Sequence, residues 1–345
     1  MAYISFQPRD NFKTQLYTGT GASNAQTFPD TTAMQPDFVW IKNRDATDQH
    51  ILTDSVRGAT INWYSDDSVV EVTETERLKS FDSDGFTVGT NDAVNTNTED
   101  YASWNWKMGT TSGLTGGSIT PTGYSLNTTA GQSIIAYTGA GSAATIPHGL
   151  GAVPKFILIK NRNYGNSGIT YHEAMSNTYY CKIDGDAAKD NSYGTATWND
   201  TSPTSTVFSV GGNSHTSGSY NYIAYCFADI KGYSKFGSYA GNGNVDGVFV
   251  YTGFRPAYVC VKCISGTGYW QTMDDKRVGY NPTNYLLYPN VTDVGGTESM
   301  ADILSNGFKF RVTSSHSNGN GATYMYMAFA EFPPVSSNDV PGVAR

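Results

Sequence analysis

Short apolar runs alternate along the chain with clusters of glycine, asparagine, serine and threonine, and one of the runs returns. Pro36 to Arg44 reads PDFVWIKNR, Pro154 to Arg162 reads PKFILIKNR, and Pro256 to Cys263 reads PAYVCVKC. Each is a proline followed by β-branched, aromatic and aliphatic residues and closed by a lysine, which is the pattern of a strand buried on both faces. Proline fits the start of such a strand because it has no N–H to give to a ladder. A threefold internal repeat follows from these copies.

The flanking pattern keeps the same order in each copy. Leu16-Tyr17-Thr18-Gly19, Tyr137-Thr138-Gly139 and Tyr239-Ala240-Gly241 read as strand ends running into glycine turns, and the tyrosines precede their prolines by 19, 17 and 17 residues. Between them, Thr27-Phe28, the stretch from Ile146 and the stretch from Val248 predict a second short strand. After the signature run, His50 to Gly58 and Trp270 to Arg277 predict a third element. Asp54 and Asp274 each lie twelve residues past the closing lysine, with an arginine three residues later. The middle copy carries Tyr171-His172-Glu173 there and no arginine. A paired Asp and Arg at a strand end is expected to hold a turn by charge-assisted hydrogen bonds.

Next come the spans 59–78, 177–203 and 280–302, in which the copies differ most. They read as long, polar, aromatic loops, the kind of segment in which binding function concentrates. The pattern resumes at Phe81 to Val88, Val207 to Val210 and Leu304 to Phe310, with Asp-Gly and Asn-Gly turn signals. Each copy then closes on a strand, at Tyr101 to Trp106, Tyr222 to Phe227 and Tyr326 to Ala330. In the first of these, Ala102, Trp104 and Trp106 share one face and Ser103, Asn105 and Lys107 the other, which predicts a half-buried strand with the tryptophans in the core.

The expected fold is all-β, with three related antiparallel β-sandwich units in tandem, jelly-roll-like. One closed body with pseudo-threefold symmetry is the alternative arrangement. The units span 1–110, 111–231 and 232–334, a Gly/Thr-rich linker covers 109–131, and 335–345 forms an extended tail. The 37 glycines, 24 tyrosines and 16 phenylalanines, with 15% charged residues, fit an all-β chain rich in turns.

A net charge of −8 and a pI near 5.0 argue against nucleic acid as a partner. The first residues, MAYISFQPRD, lack the basic start and apolar run of a signal peptide, and no run reaches the length of a membrane span. Synthesis in a cytoplasm and no membrane insertion are the expectation. Four cysteines, Cys181, Cys226, Cys260 and Cys263, are too few for a disulfide framework. The Cys260 and Cys263 pair imitates a metal motif, but residues three apart on a strand point to opposite faces. Asp82-x-Asp84-Gly85 and Asp184-Gly185-Asp186 resemble pieces of calcium loops and read as ordinary turns, since a calcium site needs six to eight oxygens. The chain carries no nucleophile elbow, P-loop, zinc-helix motif or dinucleotide fingerprint. No cofactor, metal or catalytic residue is assigned, and the chain reads as a non-enzyme.

P-x-F-V-x-I-K-x-R at Pro36, F-D-S-D-G-F-T-V-G at Phe81 and G-Y-S-K-F-G-S-Y-x-G-N-G at Gly232 together resemble an uncharacterised repeat domain of virion genes in marine tailed bacteriophages, cyanophages among them, over about residues 1 to 334. The resemblance implies a virion structural protein assembled inside a host cell, with other virion proteins as partners and a homo-oligomer in the particle. A tail fibre or host-recognition component binding a surface glycan is the leading expectation. A capsid decoration protein is the alternative, and a glycan-degrading enzyme a third. Aromatic residues stack on sugar rings, so the receptor-binding candidates are Trp63, Tyr64, Tyr193, Trp198 and Tyr285 in the divergent spans.

Overall fold

The computed structural model describes residues 6–29, 32–297 and 299–332. In the first segment the strands are β1 (Phe12–Thr18), β2 (Asn24–Thr27), β3 (Phe38–Asn43), β4 (Ile51–Asp54), β5 (Ile61–Tyr64), β6 (Val72–Thr73), β7 (Leu78–Asp82), β8 (Gly85–Val88) and β9 (Asp100–Trp106). In the second they are β10 (Gly123–Asn127), β11 (Gln132–Thr138), β12 (Ala144–Pro147), β13 (Pro154–Asn161), β14 (Ile169–His172), β15 (Cys181–Lys182), β16 (Val207–Val210) and β17 (Asn221–Ala228). In the third they are β18 (Ser234–Ala240), β19 (Phe249–Tyr251), β20 (Tyr258–Cys263), β21 (Gln271–Asp274), β22 (Ala301–Leu304), β23 (Gly307–Phe310) and β24 (Thr323–Phe329).

The expected all-β class holds, and the strand pairs are antiparallel. Each segment contributes a large sheet and a small one. The large sheets run β1-β9-β3-β4-β5-β6, β10-β11-β17-β13-β14-β15 and β18-β24-β20-β21; the small ones run β2-β8-β7, β12-β16 and β19-β23-β22. One four-strand order therefore recurs in all three large sheets. The signature runs are β3, β13 and β20, each paired on one side with its segment's last long strand and on the other with β4, β14 or β21.

Alternation along these strands sends side chains into two different cores. On β3, Val39 and Ile41 face the first small sheet, while Phe38 and Trp40 enter a cluster to which all three segments contribute. On β13, Ile157 and Ile159 turn inward to their own segment, and Phe156 and Leu158 to the shared cluster. On β20, Val259 and Val261 separate in the same way from Tyr258 and Cys260. Trp106, Phe227 and Phe329, one from each closing strand, meet in the shared cluster, with ring centroids 5.6 Å apart for Trp106 and Phe329 and 5.5 Å for Phe227 and Phe329.

This double burial corrects the half-buried reading of β9. Trp104 and Trp106 lie in the core as expected, yet Ser103 and Asn105 on the opposite face are equally buried, because the small sheet covers them. Asn105 Nδ2 donates there to Lys13 O and Ser103 Oγ. The span 109–131 is also more than a linker. It holds β10, which pairs with β11, and its Ser118 and Ile119 donate backbone N–H groups to Thr145 O on β12. The expected extended tail at 335–345 lies outside the described residues.

The turns that run from Tyr17, Tyr137 and Tyr239 to a glycine two residues on have a common cause. Tyr17, Tyr137 and Tyr239 are buried and stack on Tyr101, Tyr222 and Tyr324 with centroids 5.0, 5.2 and 5.1 Å apart. Two residues on, a Cβ at Gly19, Gly139 or Gly241 would sit 2.0, 2.1 or 2.3 Å from a backbone oxygen of the facing loop, so glycine is required by the close approach.

A core fed from three segments couples them. Phe329→Ala is expected to lower stability by about 3 to 5 kcal/mol and to shift the whole unfolding transition, read by tryptophan fluorescence in urea. A biphasic curve in which only part of the signal moves would show that the segments unfold separately.

Candidate functional site

The polar groups with the strongest constraints lie on the seams between segments. Lys42, Lys160 and Lys262, the lysines that close the three signature runs, are fully buried. Lys42 Nζ donates to Thr292 O at 3.1 Å, Lys160 Nζ to Ser68 O at 3.0 Å, and Lys262 Nζ to Ala187 O at 2.7 Å. The first segment thus reaches into the third, the second into the first, and the third into the second. The acceptors lie in the spans 280–302, 59–78 and 177–203, the stretches in which the copies differ most.

A second set of contacts runs round the segments in the opposite sense. Asp54, His172 and Asp274 occupy one register position, opposite Phe38, Phe156 and Tyr258. Asp54 Oδ1 accepts Arg57 N at 2.9 Å and its Oδ2 accepts Arg57 Nε at 2.6 Å; Asp274 and Arg277 repeat both bonds at the same distances. These are the turn-holding pairs the sequence predicts. Asp54 Oδ2 also accepts Tyr225 OH of the second segment at 2.7 Å, and Asp274 Oδ2 accepts Trp104 Nε1 of the first at 3.2 Å. His172 does the equivalent work without an arginine. Its Nδ1 accepts Ala174 N, so its Nε2 carries the proton and donates to Tyr326 O of the third segment at 3.1 Å. Burial holds this imidazole neutral, with its pKa pushed down to about 4.

At the seam between the first and third segments, the Lys276 and Glu331 pair of the third faces β1 of the first across a cleft. Glu331 is buried beside Lys276, 3.0 Å away, and burial pushes its carboxyl up to about 7. Near one end of the shared core, Tyr233 OH donates to Gln132 Oε1 and to Asn11 O, so residues of all three segments meet in one hydrogen-bonded group.

The aromatic candidates separate into two groups. Trp63 and Tyr64 lie on strand β5 rather than in a loop, which corrects the reading of 59–78 as irregular. Trp63 is buried in the shared core, its Nε1 donating to Tyr225 OH at 3.0 Å and its ring carrying Lys160 Nζ at 5.7 Å. Tyr64 points to the other face, where Arg77 Nη1 donates to its hydroxyl at 2.7 Å. Trp198 is buried in a short helical turn, its Nε1 bonded to Tyr179 O at 3.0 Å. None of these three presents a ring to solvent, since each is used in packing. Tyr193 and Tyr285 remain 36% and 39% exposed. Tyr193 stacks between Tyr180 and His215, at 5.1 and 5.0 Å, while Arg44 of the first segment sits 5.7 Å from the Tyr285 ring. The structure places them on different segments with no contact between them.

Two open clefts lie on seams. One, of ≈ 380 Å³, is lined by Ser55, Val56 and Thr111 together with 121–125. Beneath it Asp37 gathers Ser55 Oγ, Ser125 Oγ and Met108 N. The other, of ≈ 340 Å³, lies between β1 and the Lys276 and Glu331 pair. Cys260 and Cys263 point into different cores, as strand alternation requires, and no group of three or more metal-ligating side chains converges among the described residues.

A family model described as a domain of unknown function (DUF7483) matches residues 7–333. The chain belongs to this family. No curated protein matches it. The DUF7483 match runs across all three segments, as does the shared core. In the sequence the seam lysines of this DUF7483 chain stand out only as strand ends. The available signal was their retention in three otherwise apolar runs, since a charge kept at a buried position needs a partner.

Burial lowers the pKa of Lys160 to about 8, with Asp184 and Asp67 opposing the shift, against about 10.4 in an unfolded chain. Between these values the unfolded chain keeps the proton that the folded one has released, so this lysine's contribution to stability rises with pH. The buried cysteines and tyrosines, whose pKa values are raised, act in the opposite direction. Comparison with Lys160→Met cancels them. The stability of the parent relative to that variant should increase by about 2 to 3 kcal/mol between about pH 7 and 10, measured by urea denaturation; a flat difference would contradict the assignment.

Proposed function

We propose that the chain is a non-enzymatic structural component of a tailed-bacteriophage particle, built as three jelly-roll-like sandwiches around a pseudo-threefold axis. The observation that carries the structural reading is the pair of counter-running seam contacts, the lysines in one sense and the Asp or His positions in the other. A ring of three such contacts favours a rigid block over flexibly linked domains, which suits a particle part that bears load. In the first and third segments the first strand pairs with the last and the second with the one before it; in the second segment β11 and β12 pair in the same way with β17 and β16, with β10 added outside β11, and this is the pairing that a jelly-roll wrap produces. The phage assignment rests on the motif resemblance at Pro36, Phe81 and Gly232.

Host-glycan recognition is the more specific part of this reading. With Trp63, Tyr64 and Trp198 committed to packing, it falls to Tyr193 and Tyr285, whose rings are partly open to solvent. Tyrosine offers both a stacking face and a hydroxyl to a sugar.

Two measurements test these levels separately. Mass spectrometry of purified particles from a phage encoding this chain should find it as a stoichiometric component, and its absence from the particle would end the virion reading. On a glycan array, Tyr193→Ala with Tyr285→Ala should reduce binding by about tenfold or more. Binding unchanged in the double variant would remove those residues from the recognition surface, and many copies per particle without glycan binding would favour capsid decoration.

A further inference from the structure

Each small sheet has one edge at the strand that follows the tyrosine-glycine turn, β2, β12 or β19, and these three edges are handled differently. Phe310 N donates to Val248 O and Thr252 N to Asn306 O. With the register Phe249↔Lys309, Val250↔Phe308 and Tyr251↔Gly307, antiparallel geometry then turns the backbone groups of Val250 toward β23 and those of Phe249 and Tyr251 outward. The same reasoning turns Ala25 and Thr27 outward on β2, and Thr145 outward on β12.

On β12 that edge is covered within the chain. Ser118 N donates to Thr145 O at 2.9 Å, and Thr145 N donates to Ser118 Oγ at 2.8 Å. On β2 the outward residues are small or polar and need no cover. On β19 they are Phe249 and Tyr251, 43% and 64% exposed, while Val250 between them is buried. Among the described residues no segment pairs with this edge, and an unpaired edge with aromatic side chains is a template for another strand.

We propose that β19 is a self-pairing edge, at which two copies of this chain join antiparallel about Val250. Centring the pair there places Phe249 of each copy opposite Tyr251 of the other. Their outward N–H and C=O groups then form four backbone hydrogen bonds, and two Phe-Tyr cross-strand pairs form on the exposed face. The first charged residues beyond the two ends are opposite in sign. Asp246 precedes the strand, its side chain 75% exposed and paired within the chain with Lys309 and Arg311, and Arg255 follows it, its side chain 27% exposed and paired with Asp275. Antiparallel pairing brings each Asp246 toward the other copy's Arg255, whereas parallel pairing would align like charges. The result is one six-stranded sheet running through a two-fold axis. Three paired residues make a weak contact in isolation, suited to copies already held close together in an assembly.

Sedimentation velocity of the full chain from about 1 µM to about 1 mM tests this. A concentration-dependent dimer is expected. Phe249→Lys with Tyr251→Lys should weaken it by about tenfold or more while leaving the melting temperature unchanged. Phe249→Pro, which removes an outward N–H together with the ring and leaves the bonds to β23 in place, should weaken it as well. A monomer throughout the range would overturn the proposal, as would a dimer indifferent to all three substitutions. A monomer that instead binds a synthetic peptide spelling residues 333–345 would assign the edge to the chain's own terminus and overturn the pairing of copies.

Discussion

A sheet that packs against apolar neighbours on both faces has no side left for polar residues, and the long strands of the three large sheets are in that position. Their inner faces close on a small sheet and their outer faces on one another. The consequence for sequence is a run of apolar residues without alternation, as in FVWI, FILI and YVCV. Any polar side chain that remains on such a strand must be paired inside the protein, because leaving it unpaired costs more than a hydrogen bond returns. The three closing lysines meet this condition by bonding to carbonyl oxygens across a seam, and that requirement fixes which segment lies beside which.

The other seam position shows that the constraint acts on a role more than on a residue type. Asp54 and Asp274 fold an arginine back over the turn and present a carboxylate oxygen to a donor on the next segment. His172, in the same register, accepts a turn N–H and presents a donor to a carbonyl. The sign of the hydrogen bond is reversed and the charge is gone, yet the turn and the cross-seam bond persist. Burying a neutral imidazole avoids the desolvation of an ion pair, whose Coulomb energy need not repay its removal from water. A catalytic dyad would not survive such a replacement; a structural bridge does.

Much of this architecture is visible in the chain itself. The signature runs, the Tyr-Gly turns, the Asp and Arg pairs and the core role of Trp104 and Trp106 follow from spacing and alternation. The limit comes where a second partner is needed. Period-two alternation on β9 reads as half buried because serine and asparagine occupy one face, and nothing local states that a small sheet will cover them. Trp63 and Trp198 read as loop aromatics because polar neighbours surround them in sequence. Their burial depends on Tyr225 and Tyr179, which lie 162 and 19 residues away.

The divergent spans now carry a different meaning. Variation between copies on a fixed scaffold suggests recognition loops, but Ser68, Ala187 and Thr292 lie in those spans and receive the seam lysines. Glu71 accepts Arg162 Nε there, Lys182 O accepts Trp270 Nε1, and Pro289 O accepts Ser65 Oγ. Each span is therefore shaped by the face of a different neighbour. Three segments whose surroundings are not identical must diverge where they touch one another, whatever they bind. Divergence between these segments is then evidence of contact between them before it is evidence of contact with a ligand. Among the described residues, the surface open to outside partners includes the Tyr193 ring, the part of the Tyr285 ring that Arg44 leaves exposed, and the β19 edge at Phe249 and Tyr251.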